Sequence, residues 1–113
     1  MKQQSDKEKE YSLITEAWQK AGHDLDLCED LAADLHQKGI RSQSPVLLAE
    51  AALLRCYQLG ESGNFSGALQ QLDTLQAAYT KLPLDTSLRI SIYRSRLLAQ
   101  QGQQEEAGLL FTE

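Results

Sequence analysis

His23, Asp24, Asp26, Cys28 and Glu29 form a polar cluster rich in potential metal donors. Ligands carried on one helix must share a face, which requires separations of three or four residues. His23 and Cys28 are five apart, so the spacing argues against a metal site. The same residues suit a helix start, with Asp24 as the N-cap and the other charges solvated. Gly60, Gly63 and Gly67 are a second suggestive set, but a phosphate-cradling loop follows a strand and this segment reads as helix-turn-helix. Cys28 and Cys56 lie on apolar helical faces and read as buried thiols in a reducing compartment, with a disulfide or redox role as the alternative. There is no zinc motif and no nucleophile elbow. The residues that could do chemistry do not assemble into a site: the chain reads as non-enzymatic, with no cofactor and no metal.

What remains is a surface. The 113 residues fit a single domain spanning 1–113. Eleven basic residues against sixteen acidic ones give a net charge of -5, and no basic run exceeds two, which disfavours nucleic acid as a partner. No apolar run approaches the ~18 residues of a membrane span. The opening MKQQSDKEKE has no apolar stretch behind its charges and does not resemble a secretory signal, so a cytoplasmic location is expected.

The stretch Leu47–Leu82 organises the chain. Its first half is apolar on nearly every side (Leu47, Leu48, Ala51, Ala52, Leu53, Leu54, Cys56, Tyr57, Leu59), so it must be a helix sandwiched between neighbours. Its second half carries one stripe, Phe65, Ala68, Leu69, Leu72, Leu75, Ala78, Tyr79 and Leu82, at amphipathic-helix spacing. Gly63-Asn64 supplies the turn between them, a left-handed residue followed by an N-cap. Upstream, Tyr11, Ile14, Ala17, Trp18 and Ala21 predict a helix from about Asp6 to Gly22, with residues 1–5 unstructured. Leu27, Cys28, Leu31, Ala32 and Leu35 predict a second helix over Leu25–Lys38, ending at Gly39. Residues 40–43 read as a loop, and Ser44-Pro45 as a clean helix start. Downstream, Asp85 or Thr86 caps a fifth helix with Leu88, Ile92, Leu97 and Leu98 as its apolar residues. Gly102 then turns the chain into a short sixth helix, Gln103 to Phe111.

Gly63, Ala68 and Leu72 recur as Gly102, Ala107 and Phe111, and more weakly as Gly22, Leu27 and Leu31. A turn Gly, a small residue five on and a large apolar residue four beyond resembles the tetratricopeptide (TPR) hairpin. The 39-residue offset between the last two turns exceeds the family's ~34, a degenerate repeat with a lengthened connection. The resemblance implies an all-α fold: three degenerate TPR-like hairpins, about 6–39, 44–82 and 85–113, of about six helices. These would stack as a short right-handed solenoid with a concave groove. Carrying over the family's ligand-facing positions places Glu50, Leu53, Tyr57 and Gly60 in the groove from the central hairpin. The last hairpin would add Arg89, Ile92, Arg96 and Ala99, and the first Lys9, Ser12, Glu16 and Gln19. Leu109, Leu110 and Phe111 would form an apolar edge with no following helix to cover it.

The stretches DLAADLHQKG and LLRCYQLGESGNFSGALQQL are similar to the small TPR co-chaperones of bacterial type III secretion needle subunits. The resemblance spans roughly residues 20–75. It implies a bacterial cytoplasmic chaperone acting in a heteromeric complex. With a second, smaller helical chaperone, it would hold the needle subunit's C-terminal amphipathic helix in the concave groove and block premature polymerisation. A general TPR scaffold, holding a peptide C-terminus at Arg89 and Arg96, is the alternative.

Overall fold

The structure, a computed structural model, describes the backbone of residues 2–112 and the side chains of residues 8–103 and 105. Five α-helices follow one another in the described chain: α1 Lys2–His23, α2 Cys28–Ser42, α3 Pro45–Glu61, α4 Phe65–Ala78 and α5 Leu84–Thr112. No strand occurs among the described residues.

Helix α1 begins at Lys2, ahead of the start expected near Asp6, and residues 2–5, expected to be unstructured, are helical. Lys, Gln and Glu are good helix formers, and each residue added to an existing helix gains one backbone hydrogen bond. The helix passes Gly22 by one residue. Asp24 then accepts a hydrogen bond from the Asp26 N–H at 3.0 Å, capping a single 3₁₀ turn over Leu25–Leu27 that leads into α2.

Helix α2 does not stop at Gly39 but continues to Ser42, through most of the segment expected to be a loop. Gln43 takes the left-handed cap conformation with φ of 52°, and the Ser44 N–H closes the end on the Gly39 carbonyl at 2.9 Å. Gly39 has a different task. A Cβ there would lie 2.9 Å from Leu48 Cδ2 and 3.1 Å from the Leu48 backbone nitrogen, so its lack of a side chain lets α2 and α3 close on each other.

Ser44 accepts from the Leu47 N–H at 3.3 Å with Pro45 at the first helical position, as the Ser-Pro pair predicts. Gly63, with φ of 92°, and Asn64, accepting from the Gly67 N–H at 3.0 Å, make the α3–α4 turn. Helix α4 ends at Ala78, short of Leu82, yet Tyr79 and Leu82 still pack on the core.

Two apolar clusters share α3. One joins Ile14, Ala17 and Ala21 of α1, Cys28, Ala32 and Leu35 of α2, and Leu47, Ala51 and Leu54 of α3. The other joins Ala49, Leu53 and Cys56 of α3, Ala68, Leu72 and Leu75 of α4, and Ile90, Tyr93 and Leu97 of α5. A helix with a core on each side must be apolar around most of its circumference, which is why α3 carries no single stripe.

The final segment departs from expectation. Gly102 makes no turn: α5 runs unbroken for 29 residues, so the described residues form five α-helices and no third hairpin. Glycine lowers helix stability by about 1 kcal/mol but ends a helix only when the chain takes a left-handed residue and folds back onto something. Gly102 has no neighbour within contact of a built Cβ and no positive φ, and glutamines precede and follow it.

Candidate partner-binding face

The side chains that tie the first, third and fifth helices together converge on one carboxylate. Glu50, in the first half of α3, has no exposed surface. The Trp18 indole N–H of α1 donates to its Oε1 at 3.2 Å. The Thr86 hydroxyl of α5 donates to Oε2 at 3.4 Å, and the Arg89 guanidinium pairs with the same oxygen. Arg89 also lies over the Trp18 ring, 5.7 Å from its centroid, a cation–π arrangement. Burial pushes the Glu50 carboxyl above the usual range, and Arg89, Trp18 and Thr86 oppose that push by favouring the charged form. Thr86, one of the two residues expected to cap α5, instead turns its hydroxyl to this carboxylate.

An aromatic series continues from Trp18 between the helices. Trp18 meets Tyr57 edge-on at 5.6 Å, and Tyr57 meets Tyr93 at 5.9 Å. The Tyr93 hydroxyl donates to the Cys56 and Tyr57 carbonyls at 3.2 and 3.1 Å. It sits in the notch left by Gly60, where a Cβ would lie 2.7 Å from Leu97 and collide with the hydroxyl itself. Burial raises the Tyr93 phenol far above its ordinary range and pushes the Cys56 thiol up to about 12, so both are neutral packing groups.

Beside Glu50 opens a cleft of about 300 Å³. Tyr11 and Ile14 of α1 form one wall, Val46 and Glu50 of α3 the floor, and Pro83, Asp85, Thr86 and Arg89 the other wall. The surface is mainly apolar, with Glu10 on the α1 side and an acid and a base, Asp85 and Arg89, on the α5 side. Such a site can seat one or two apolar side chains of a partner and orient them through a few polar contacts.

The expected groove residues distribute unevenly. Leu53 is fully buried in the second core and lines no surface, and Gly60 is covered by Tyr93 and Leu97. Both expectations are corrected: at those positions, two turns apart, one face of α3 packs against α4 and α5. Tyr57 is half-buried in the aromatic series. Arg89 lines the cleft. Arg96 pairs with Glu61 at 3.0 Å, while Ile92 and Ala99 are exposed on α5. On α1, Tyr11 and Ile14 line the cleft, whereas Lys9, Ser12, Glu16 and Gln19 lie on its solvent side. The side chains of Leu109, Leu110 and Phe111 lie outside the described residues. The polar cluster at His23 does not come together: Asp24 is the cap, His23, Asp26 and Glu29 are exposed, and Cys28 is buried in the first core.

Sequence reasoning missed two features. Leu88, Ile92 and Leu98 are not core residues: the buried face of α5 is Thr86, Ile90, Tyr93 and Leu97. That 4-3-4 spacing was present in the sequence beside a second apolar series, and nothing local chooses between them. The carboxylate at Glu50 was placed in a groove, not beneath one. Comparison of this chain with models of known families, with curated proteins and with solved structures yields no match.

Proposed function

We propose that this chain is a non-catalytic helix-binding chaperone of the type III secretion kind, working with a second small helical chaperone to hold the needle subunit's amphipathic C-terminal helix until export. In this reading α1–α2 and α3–α4 are two TPR-like hairpins and α5 is the first helix of a third. The helices α1, α3 and α5 then line a concave side, and the client helix lies along it.

The observation that carries the reading is the cleft formed jointly by those three helices, apolar on Tyr11, Ile14 and Val46, with Asp85 and Arg89 at its α5 wall. An amphipathic helix binds such a surface by setting apolar side chains into the cleft and its polar flank against the charged wall. The binding is reversible because only side-chain burial and a few polar contacts are made. The scaffold alternative needs free guanidinium groups for a C-terminal carboxylate. Arg89 is engaged with Glu50 and Arg96 with Glu61, which favours the helix reading.

The test is co-expression with a needle subunit and a small helical chaperone, followed by light scattering of the eluted species. A complex of defined mass, weakened by Tyr11→Asp or Val46→Asp and still formed with Glu29→Ala on the far side of α2, supports the proposal. A chain that elutes without either partner under the same conditions overturns it.

A further inference from the structure

Helix α5 has a second apolar face that its own fold leaves uncovered. Thr86, Ile90, Tyr93 and Leu97 point into the body. On the opposite side lie Leu84, Leu88, Ser91, Ser95, Leu98 and Gly102, spaced 4-3-4-3-4, the periodicity of a coiled-coil seam. Leu84 is 72% exposed, Leu88 49% and Leu98 52%, with Ile92 beside them at 68%. Scattered exposed leucines are ordinary, but four on one side of one helix form a patch.

We infer that this face pairs with the same face of a second copy of the chain, the two α5 helices running antiparallel about a two-fold axis near Tyr93. The sizes along the seam are self-complementary in that direction. Reversal about residue 93 sets Leu84 against Gly102 of the second copy, Leu88 against Leu98, and Ser91 against Ser95. Each end therefore places a large side chain over a glycine, and the small serines meet at the axis, where two backbones approach closely. A parallel pair would set Leu84 on Leu84 and Gly102 on Gly102, crowding one end and leaving the other empty.

Charge agrees with the same pairing. No seam position between Leu84 and Gly102 is charged. The three flanking arginines are tied to carboxylates of their own body, Arg89 to Glu50, Arg94 to Asp73 and Arg96 to Glu61, and Asp85, beside Leu84, is exposed and keeps its charge in water at the rim of the pair. A two-fold pair closes on itself and leaves no further sticky edge on this face. The face lies beyond the cleft, so the pairing holds or fails independently of the proposed function.

The test uses the full chain. Sedimentation and light scattering should give twice the 12.6 kDa chain mass. Leu88→Glu should halve it while leaving the far-ultraviolet spectrum unchanged, since Leu88 is half-exposed and outside both core clusters, and it should abolish the concentration dependence that dimerisation gives the wild-type melting temperature. Orientation is read by oxidative cross-linking. Leu84→Cys alone and Gly102→Cys alone should give no covalent dimer, because those positions lie about 27 Å from their own copies across the axis, while an equal mixture of the two should give one. The native Cys28 and Cys56 are buried and do not compete. A wild-type chain of 12.6 kDa at every concentration overturns the pairing and assigns the face to a different partner. Cross-linking of Leu84→Cys alone overturns the antiparallel arrangement.

Discussion

Replacing Glu50 by alanine tests the most connected contact in the molecule. The carboxylate, on α3, accepts from two other helices: Trp18 on α1, and Thr86 and Arg89 on α5. Glu50→Ala leaves the indole N–H and the threonine hydroxyl without their acceptor. A buried donor left unpaired costs about 1–3 kcal/mol, and breaking a buried ion pair by removing one partner costs about 3–5 kcal/mol. The Arg89 side chain is about one-third exposed and can turn to water, which lowers its share. A loss of about 2–4 kcal/mol follows, a large part of the ~5–15 kcal/mol that stabilises a small domain. At roughly 4 °C per kcal/mol for a domain of this size, the melting temperature should drop by about 8–16 °C. Urea unfolding followed by circular dichroism measures the free energy, and quenching of the single tryptophan reports whether Trp18 loses its site. A Glu50→Ala chain within about 0.5 kcal/mol of wild type, the range of neutral surface changes, would refute the argument that this carboxylate ties α1 and α5 to α3.

Other consequences are as direct. Burial holds the Glu50 pKa above its ordinary 4.5, so the folded state binds the proton more tightly than the unfolded chain. Its contribution to stability is therefore fully present below that ordinary value and is lost as pH rises through the folded value. The stability of wild type relative to Glu50→Gln should fall with rising pH over that window, and a rise would mean that Arg89 outweighs burial. Leu53→Ala should cost about 2–5 kcal/mol because the side chain is wholly enclosed, while Ile92→Asp, at an exposed position, should leave the helical content by circular dichroism unchanged. Gly102→Ala should stabilise the chain by up to about 1 kcal/mol if α5 is continuous, and destabilise it if a left-handed turn sits there.

Much of the local structure was legible before any fold was considered. Ser44-Pro45, Gly63-Asn64 and Asp24 each announce a helix boundary through a hydrogen bond or a φ value that few other residues supply. The two-sided apolar character of α3 required neighbours on both flanks, and α1 with α2, and α4 with α5, are those neighbours. The glycines were less informative, because glycine serves both turns and close approaches. Gly63 takes φ of 92°, Gly39 and Gly60 admit Leu48 and Tyr93, and Gly102 does neither. Only the position of the next helix distinguishes these uses.

The candidate site divides the same way. Sequence alone put Trp18 on the apolar stripe of the first helix and directed attention to the α3 and α5 residues around Glu50 and Arg89. It could not say that Leu53 faces inward and Glu50 lies beneath the cleft, since both sit on a helix surrounded by protein and the burial of each depends on which neighbour covers it. Helix α5 makes the point most clearly. Its residues present two apolar series, Thr86–Ile90–Tyr93–Leu97 and Leu84–Leu88–Ile92, and both satisfy helical periodicity equally. The choice fell to the notch at Gly60, which accepts the Tyr93 hydroxyl and a Leu97 methyl from the first series together. Periodicity and capping are local and so were written in the sequence; the face a helix buries is settled by the shape of the surface it meets, and that shape exists only once the other helices have packed.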